Sequence, residues 1–303
     1  MSGHSYGWVR DREQESDENF THPVSGTRCS GSRQPTATGL KKIIQQIRAE
    51  QKPELIVIID LRDEAHLYCD DEPIGWDYIN TEVKQIPRVS EYNREAEFEA
   101  AQRLQSAGKL ILYTRHKHLK PPADLVLEEL DTKNVVTEEE VVSKLDAVYQ
   151  RFPVTDHSIP HPELVDKFIM FVHNLPANSW VHVHCHGGKG RTSTFMAMYN
   201  LLYFARHPAA MPDGYDAMSN PKLRTKEDRR TSDEQLNRIG FMKTFKIYVN
   251  AYINALHNSK QPPLWSEWQK QREIEHLMLL RQHNPEAAHL LSTHPGLGTA
   301  VRL

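Results

Sequence analysis

The stretch Trp180-Val-His-Val-His-Cys-His-Gly-Gly-Lys-Gly-Arg-Thr-Ser-Thr-Phe195 constrains this chain more than any other. Apolar residues alternate with histidines from Trp180 to His184, the pattern of a short buried strand. Cys185 follows, then Gly187, Gly188 and Gly190 in a tight loop, then Arg191. From Thr192 onward Phe195, Met196, Met198, Tyr199, Leu201 and Leu202 recur at helical spacing. The unit is a strand, a Gly-rich loop and a helix. A thiol opens the loop and a guanidinium closes it.

A loop that feeds a helix N-terminus gathers backbone N–H groups at the positive end of the helix dipole. Glycines let that backbone approach an anion closely. Arg191 can grip two oxygens of a tetrahedral dianion, which a Lys cannot do. The same field favours the thiolate of Cys185 as a nucleophile, and Thr192 can donate its hydroxyl to the sulfur. Cys, five residues, Arg, Thr is the signature of cysteine-dependent phosphatases, the protein-tyrosine-phosphatase superfamily, and His184 before the Cys fits it. The bland alternative is a buried Cys in an ordinary strand–turn–helix. The other alternative is zinc held by His182, His184, Cys185 and His186. Strand alternation sets those histidines on one face and Cys185 on the other, and no second Cys/His cluster completes a four-ligand set. The expectation is no metal and no cofactor.

At 303 residues the chain can bury a large core. Its net charge of -3 supplies no global field for nucleic acid or an anionic membrane, so an anionic ligand must be caught by local charge. Three cysteines, Cys29, Cys69 and Cys185, are too few and odd in number for a disulfide framework, which indicates a reducing compartment. No apolar h-region opens the sequence and no run reaches transmembrane length. The expectation is a cytoplasmic protein without stable membrane insertion, or an effector delivered into a host cell by a route without such a signal.

Residues 1–37 are polar and rich in Gly, Ser and Pro, so they read as an irregular segment. The apolar spacing of Leu40, Ile43, Ile44 and Ile47 predicts a helix over 39–50. Leu55-Ile-Val-Ile-Ile-Asp60 predicts a buried parallel strand. Arg62, Glu64 and His66 lie at its C-terminal end, where α/β folds place ligands; they either support the site or hold the strand end. Residues 67–115 read as a small insertion, with a helix over 90–107, a strand over 109–113 and a basic run over 115–120. Residues 135–149 read as one acidic-started helix. Three prolines over 151–162 predict a loop carrying Asp156, 29 residues before Cys185. Asp156 is the candidate acid that protonates a leaving oxygen and then activates water. Helices follow over 162–175 and 232–255, with Arg224, Lys226, Arg229, Arg230 and Arg238 near the start of the second: a solvated face or a second phosphate grip. A charged helix follows Trp265-Ser-Glu-Trp268, and 284–303 form a tail. One phosphatase domain over 38–283 is the resulting division.

These residues resemble the bacterial protein-tyrosine-phosphatase-like phytases, or inositol polyphosphate phosphatases. The resemblance rests on His184 to Phe195, Trp180-Val-His, Pro153-Val-Thr-Asp-His157, Ser30-Gly-Ser-Arg-Gln-Pro35, Ile59-Asp-Leu-Arg-Asp-Glu-Ala-His66 and Trp265-Ser-Glu-Trp268. It implies an α/β phosphatase core, a mainly parallel sheet flanked by helices, with a small inserted subdomain and no metal. It implies Cys185 as nucleophile and Asp156 as general acid, then base. Arg191 and the loop residues His186, Gly187, Gly188, Lys189 and Gly190 would hold the scissile phosphate, with Thr192 supporting the sulfur. It further implies that His157 and Arg238 grip the substrate, a small polyphosphorylated molecule such as myo-inositol hexakisphosphate. The family's basic residue near Asn19-Phe-Thr21 is missing here, with Arg28 or Arg33 as substitutes. Within enzymes, a dual-specificity or phosphoinositide phosphatase is the alternative. Outside them, it is a catalytically silent binder of phosphorylated ligands. The order of phosphate removal and the oligomeric state stay open.

Overall fold

The computed structural model describes residues 6–10, 26–78, 94–113, 127–217, 233–258 and 261–283. The chain divides into two compact units, one of 1–158 and 176–196, the other of 159–175 and 197–303.

The first unit holds a four-stranded parallel sheet made of β2 (Cys29–Arg33), β3 (Leu55–Arg62), β9 (Val148–Val154) and β10 (Ser179–Cys185), in the order β2-β10-β3-β9. β10 and β3 are the two central strands, and their apolar residues after Leu55 are buried, as expected inside a parallel sheet. Helix α1 (Ala37–Gln51) packs Leu40, Ile44 and Ile47 on Ile56, Ile58 and Trp180. It starts where the Thr36 side chain accepts from the Gly39 N–H at 2.9 Å. β3 and β9 slip register between Asp60 and Arg62. Such a bulge re-aims the residues that follow it.

A second sheet in the same unit has six strands in the order β7-β6-β1-β5-β4-β8. They are β1 (Tyr6–Arg10), β4 (His66–Cys69), β5 (Glu72–Tyr78), β6 (Lys109–Tyr113), β7 (Leu127–Asp131) and β8 (Val135–Val136). All its pairings are antiparallel except β1 with β6. Trp8, Leu67, Cys69, Ile74, Leu110, Leu112 and Val135 form its core together with Ala100 and Ala101 of α2 (Arg94–Ala107).

Three sequence expectations for this unit are corrected. Residues 1–37 are not irregular throughout, because they supply β1 and β2. Cys29-Ser-Gly-Ser-Arg33 has no strand-forming composition and is a strand by virtue of its pairing with β10. The expected small insertion over 67–115 belongs to a six-stranded sheet that reaches Val136 and recruits β1. Residues 135–149 are not one helix: β8 leads into the short α3 (Glu138–Ser143), and β9 begins at Val148. Thr137 and Glu140 form a reciprocal capping box at the start of α3. Asp146 adopts φ 52, and the chain turns into β9 there. Pro153 lies inside β9, which is an edge strand and tolerates it.

The second unit contains α4 (Pro162–Asn174), α6 (Asp233–Ala251), α7 (Ile253–His257) and α8 (Trp265–His283). The expected single helix over 232–255 breaks at Tyr252. Phe241, Phe245 and Tyr248 of α6 surround Trp265, which is fully buried. Helix α5 (Gly190–Arg206) starts in the first unit. Among the described residues, no helix is long and apolar enough to cross a membrane.

Candidate active site

Cys185 is the last residue of β10 and Gly190 the first of α5, so four residues turn the chain from strand to helix. The sulfur is buried, and the Thr192 hydroxyl donates to it at 3.1 Å. Two glycines allow the turn to sit where it does. Gly188 adopts φ +62, and a Cβ there would lie 2.4 Å from the Arg33 backbone nitrogen. Gly31 on β2 has no room for a side chain either: a Cβ would meet Met196 Sδ at 2.5 Å and Thr192 Cγ2 at 2.8 Å. The Gln34 N–H also donates to the His186 carbonyl at 3.3 Å. β2 therefore braces the loop from beside β10. Lys189 is exposed, His186, Gly187 and Gly190 are half-buried, and Gly188 is buried.

Arg191 is buried and held on several sides. Its Nη1 donates to Glu64 Oε2 at 2.7 Å and to the Val154 carbonyl at 3.0 Å; its Nη2 donates to Glu64 Oε1 at 3.0 Å. The fork is bidentate, the strongest geometry for this pair. Burial alone would raise the Glu64 carboxyl, but the Arg191 and Arg62 guanidiniums outweigh it and hold the group well below the usual carboxylate range. Arg191 Nε has no hydrogen-bond partner among the described residues, so one donor of the fork remains for an anion.

Asp156 follows β9 in a turn closed by Ser158 N–H to the Thr155 carbonyl, 3.1 Å. Its Oδ1 lies 3.1 Å from Arg191 Nη2 and its Oδ2 lies 3.3 Å from His157 Nε2. The Asp156 side chain is 44% exposed and that of His157 62%, so both face water at the rim while Cys185 does not. His157 sits at φ 64, in the left-handed region that non-glycine residues rarely enter. Thr155 Oγ1 donates to Asp63 Oδ2 at 3.0 Å and ties this turn to the end of β3.

Below the loop lies a buried polar network. Arg151 donates to both Glu97 oxygens at 2.8 Å and to the Arg62 and Glu64 carbonyls at 2.8 and 3.0 Å, fixing the backbone from which Glu64 projects. His184 Nε2 lies 2.6 Å from Glu138 Oε1, and His66 Nε2 lies 3.1 Å from Glu138 Oε2. Burial would raise Glu138, but His184 and His66 hold it well below the ordinary carboxylate range. For His66, burial is outweighed by Asp60 and Glu138, and its pKa is raised. Asp60, Glu138 and His184 offer ligand-type atoms within 4.8 Å of one another. Asp60 already accepts from Tyr149 at 2.8 Å and from the Arg62 N–H at 2.8 Å, and it lies 3.2 Å from Arg151 Nε. With a guanidinium this close, the cluster reads as a charge-balanced network. His182 and His184 do not converge on one site: His182 is bonded to Ser30 at 2.9 Å and Ser32 at 3.0 Å on β2.

The structure thus brings together Cys185, Arg191, Thr192, Asp156 and His157 from the sequence candidates. Arg238 lies half-buried on α6 in the second unit. Asn19 to Thr21, the basic run over 115–120, the residues Arg224 to Arg230 and the tail over 284–303 lie outside the described residues. Glu138 and Gln34 were not singled out for the site. Both sit on short elements whose composition reads as capping and turn chemistry, and only the fold brings them under the loop.

Residues 59–203 match the model of the protein-tyrosine-phosphatase (PTP)-like phytase family, described as inositol hexakisphosphate. Effector protein hopD2 of Pseudomonas syringae pv. tomato is 33% identical over 175 residues, 55% of this chain and 36% of its own length. The PTP-like phytase from Bdellovibrio bacteriovorus superposes with a TM-score of 0.61 at 26% identity, covering 87% of this chain and 94% of that one. The PTP-like myo-inositol phosphatase from Mitsuokella multacida, solved with myo-inositol-(1,3,4,5)-tetrakisphosphate, gives a TM-score of 0.71 at 22% identity. That match covers 90% of this chain and 49% of the other. This chain therefore spans about a third of the curated relative and half of the Mitsuokella protein.

Proposed function

Because residues 59–203 match the model of the PTP-like phytase family, we propose that this chain hydrolyses phosphomonoesters of myo-inositol polyphosphates through a phosphocysteine. The observation that carries the reading is the convergence on one buried sulfur: Thr192 at 3.1 Å from it, and Arg191 at the loop's far end, held by Glu64 and 3.1 Å from Asp156.

The chemistry follows from those positions. A substrate phosphate enters the loop at the α5 N-terminus, where unsatisfied backbone N–H groups and the Arg191 fork take its equatorial oxygens. The Cys185 thiolate attacks phosphorus; the S–P bond forms as the P–O bond to the inositol breaks. Protonated Asp156 gives its proton to the departing oxygen. Water then attacks the phosphocysteine, Asp156 takes its proton, the S–P bond breaks and inorganic phosphate leaves with the thiolate restored. Thr192 stabilises the departing sulfur. His186 and Lys189 belong to the loop proposed to hold the scissile phosphate, and His157, beside Asp156, is proposed to grip the rest of the substrate. The inositol tetrakisphosphate bound by the Mitsuokella relative supports a small polyphosphorylated substrate. The likeness to a bacterial effector supports action inside a host cell.

The test is phosphate release by the wild-type chain from myo-inositol hexakisphosphate, beside a phosphotyrosine peptide and a phosphoinositide, with identification of the inositol products. Turnover of the inositol phosphate is expected to dominate. Turnover of the peptide or phosphoinositide alone would replace this reading with a dual-specificity or phosphoinositide phosphatase. Tight binding without turnover would make the chain a silent binder.

A further inference from the structure

The two ends of the phosphate loop are joined underneath it. At one end, His184 precedes Cys185, and its ring meets Glu138 Oε1 at 2.6 Å. Gln34 Nε2 donates to Glu138 Oε2 at 2.9 Å, and Gln34 Oε1 accepts from Arg62 Nη1 at 3.2 Å. Arg62 Nε donates to Glu64 Oε1 at 3.1 Å, and Glu64 grips Arg191 at the other end. The backbone of Gln34 is itself bonded to His186 inside the loop. Every group in this chain except Glu64 is buried to within a few per cent of full exclusion from water. Buried polar networks of this kind act as a unit, because a broken link leaves an unsatisfied group in a low dielectric.

We propose that Glu138 is a positioning residue that holds both ends of the loop: the nucleophile through His184, and the oxyanion grip through Gln34, Arg62 and Glu64. It touches neither the sulfur nor the phosphate. Its carboxylate stands at the N-terminus of α3, behind a capping box that fixes the helix start, so the hub is rigid. Gln34 is the branch point: removing it cuts the Arg191 arm and leaves the His184 arm intact. This inference rests on the phosphatase reading for its kinetic consequence, but its test does not need turnover.

The experiment compares the full chain with Glu138→Gln, Gln34→Met and a control from the six-stranded sheet, Leu110→Ala. Tungstate, a tetrahedral dianion, is titrated by calorimetry; its stoichiometry reports the folded fraction and its Kd the cradle. Alkylation of Cys185 by iodoacetamide at fixed pH, followed by mass spectrometry, reports the nucleophile. Glu138→Gln is expected to slow the alkylation and weaken tungstate about tenfold, the scale of coupling between groups in one buried polar network. Gln34→Met is expected to weaken tungstate while keeping the alkylation rate. Leu110→Ala should lower Tm and leave the tungstate Kd and the alkylation rate as they were. Wild-type tungstate affinity in a folded Glu138→Gln overturns the proposal, as does equal weakening in Leu110→Ala. Should Glu138→Gln fail to fold, Gln34→Met decides alone, since it removes no charge: unchanged tungstate affinity there rejects the link. Failure of the wild type to hydrolyse inositol phosphates removes the substrate reading and leaves these readouts standing.

Discussion

The parallel and the six-stranded sheets of the first unit each bury a core, but they are filled differently. The core of the six-stranded sheet is Trp8, Leu67, Ile74, Leu110, Leu112 and their neighbours, apolar throughout. The parallel sheet buries polar and charged residues within its strands: Asp60 and Arg62 on β3, His182 and His184 on β10, Ser30 and Ser32 on β2. Each of these is costly to bury unless paired. The fold sets them against partners: His182 against Ser30 and Ser32, His184 against the Glu138 carboxylate, and Arg62 against Glu64, which grips Arg191. One sheet is thus a platform for chemistry and the other a packing layer that supplies His66 and Tyr68 to the network from β4.

That contrast predicts where substitutions separate activity from stability. Cys185→Ser should abolish phosphate release, by about 10⁴-fold or more as expected for loss of a nucleophile, while tungstate still binds. Residual turnover near the wild-type level would place the chemistry elsewhere. Next in size, Asp156→Asn should slow turnover by about 10²–10⁴-fold, with its Tm little changed because the side chain is half exposed. Near-normal turnover would free Asp156 from its role and leave the β9 end structural.

Leu110→Ala probes the other sheet. It empties a site that is 3% exposed in the apolar cluster and should cost about 2–5 kcal/mol by lost burial and cavity formation. Measured per folded molecule, kcat and KM should stay within about twofold, as for distant independent sites. A large loss of kcat at full folding would show that the six-stranded sheet shapes the site directly, and the contrast would fail.

The same contrast explains what could be read from the residues alone. β3 is visible because a buried parallel strand is a continuous apolar run, β10 from its apolar residues alternating with histidines, and the Cys loop because nucleophile and fork must flank a glycine turn. Asp156 and the turn carrying it are visible from the prolines around them. The six-stranded sheet is not. Its strands are two to seven residues long, β1 is remote in sequence from its partners β5 and β6, and Leu127-Glu-Glu-Leu-Asp131 has no strand pattern. β2 is a strand only because β10 accepts it. The network is hidden for a related reason. Glu138 reads as the first turn of an acidic helix, where carboxylates are common, and nothing local shows that His184, 46 residues later, comes to meet it.

The smallest expected effect tests whether the polar filling of the parallel sheet leaves a signature that the apolar sheet lacks. His182 is fully buried with both ring nitrogens engaged by Ser30 and Ser32. Burial, and then the neighbouring His184, push it from 6.5 down to about 3. The unfolded chain takes up a proton near pH 6.5 that the folded chain refuses until about pH 3, so the unfolded state binds more protons throughout that window. Stability therefore rises with pH across it and is lost as pH falls into it, by about 1 kcal/mol between pH 6.5 and 5.5 from this group alone. His182→Gln offers an amide to the two serines but does not titrate. Its urea-unfolding free energy should be lower than wild type at pH 7.5 yet flatter by about 1 kcal/mol between pH 6.5 and 5.5. Leu110→Ala should be displaced from wild type by a constant amount over the same range, because the missing side chain carries no proton. If His182→Gln runs parallel to wild type instead, that histidine is free to protonate in the folded chain, and the serine pair on β2 is not holding it neutral.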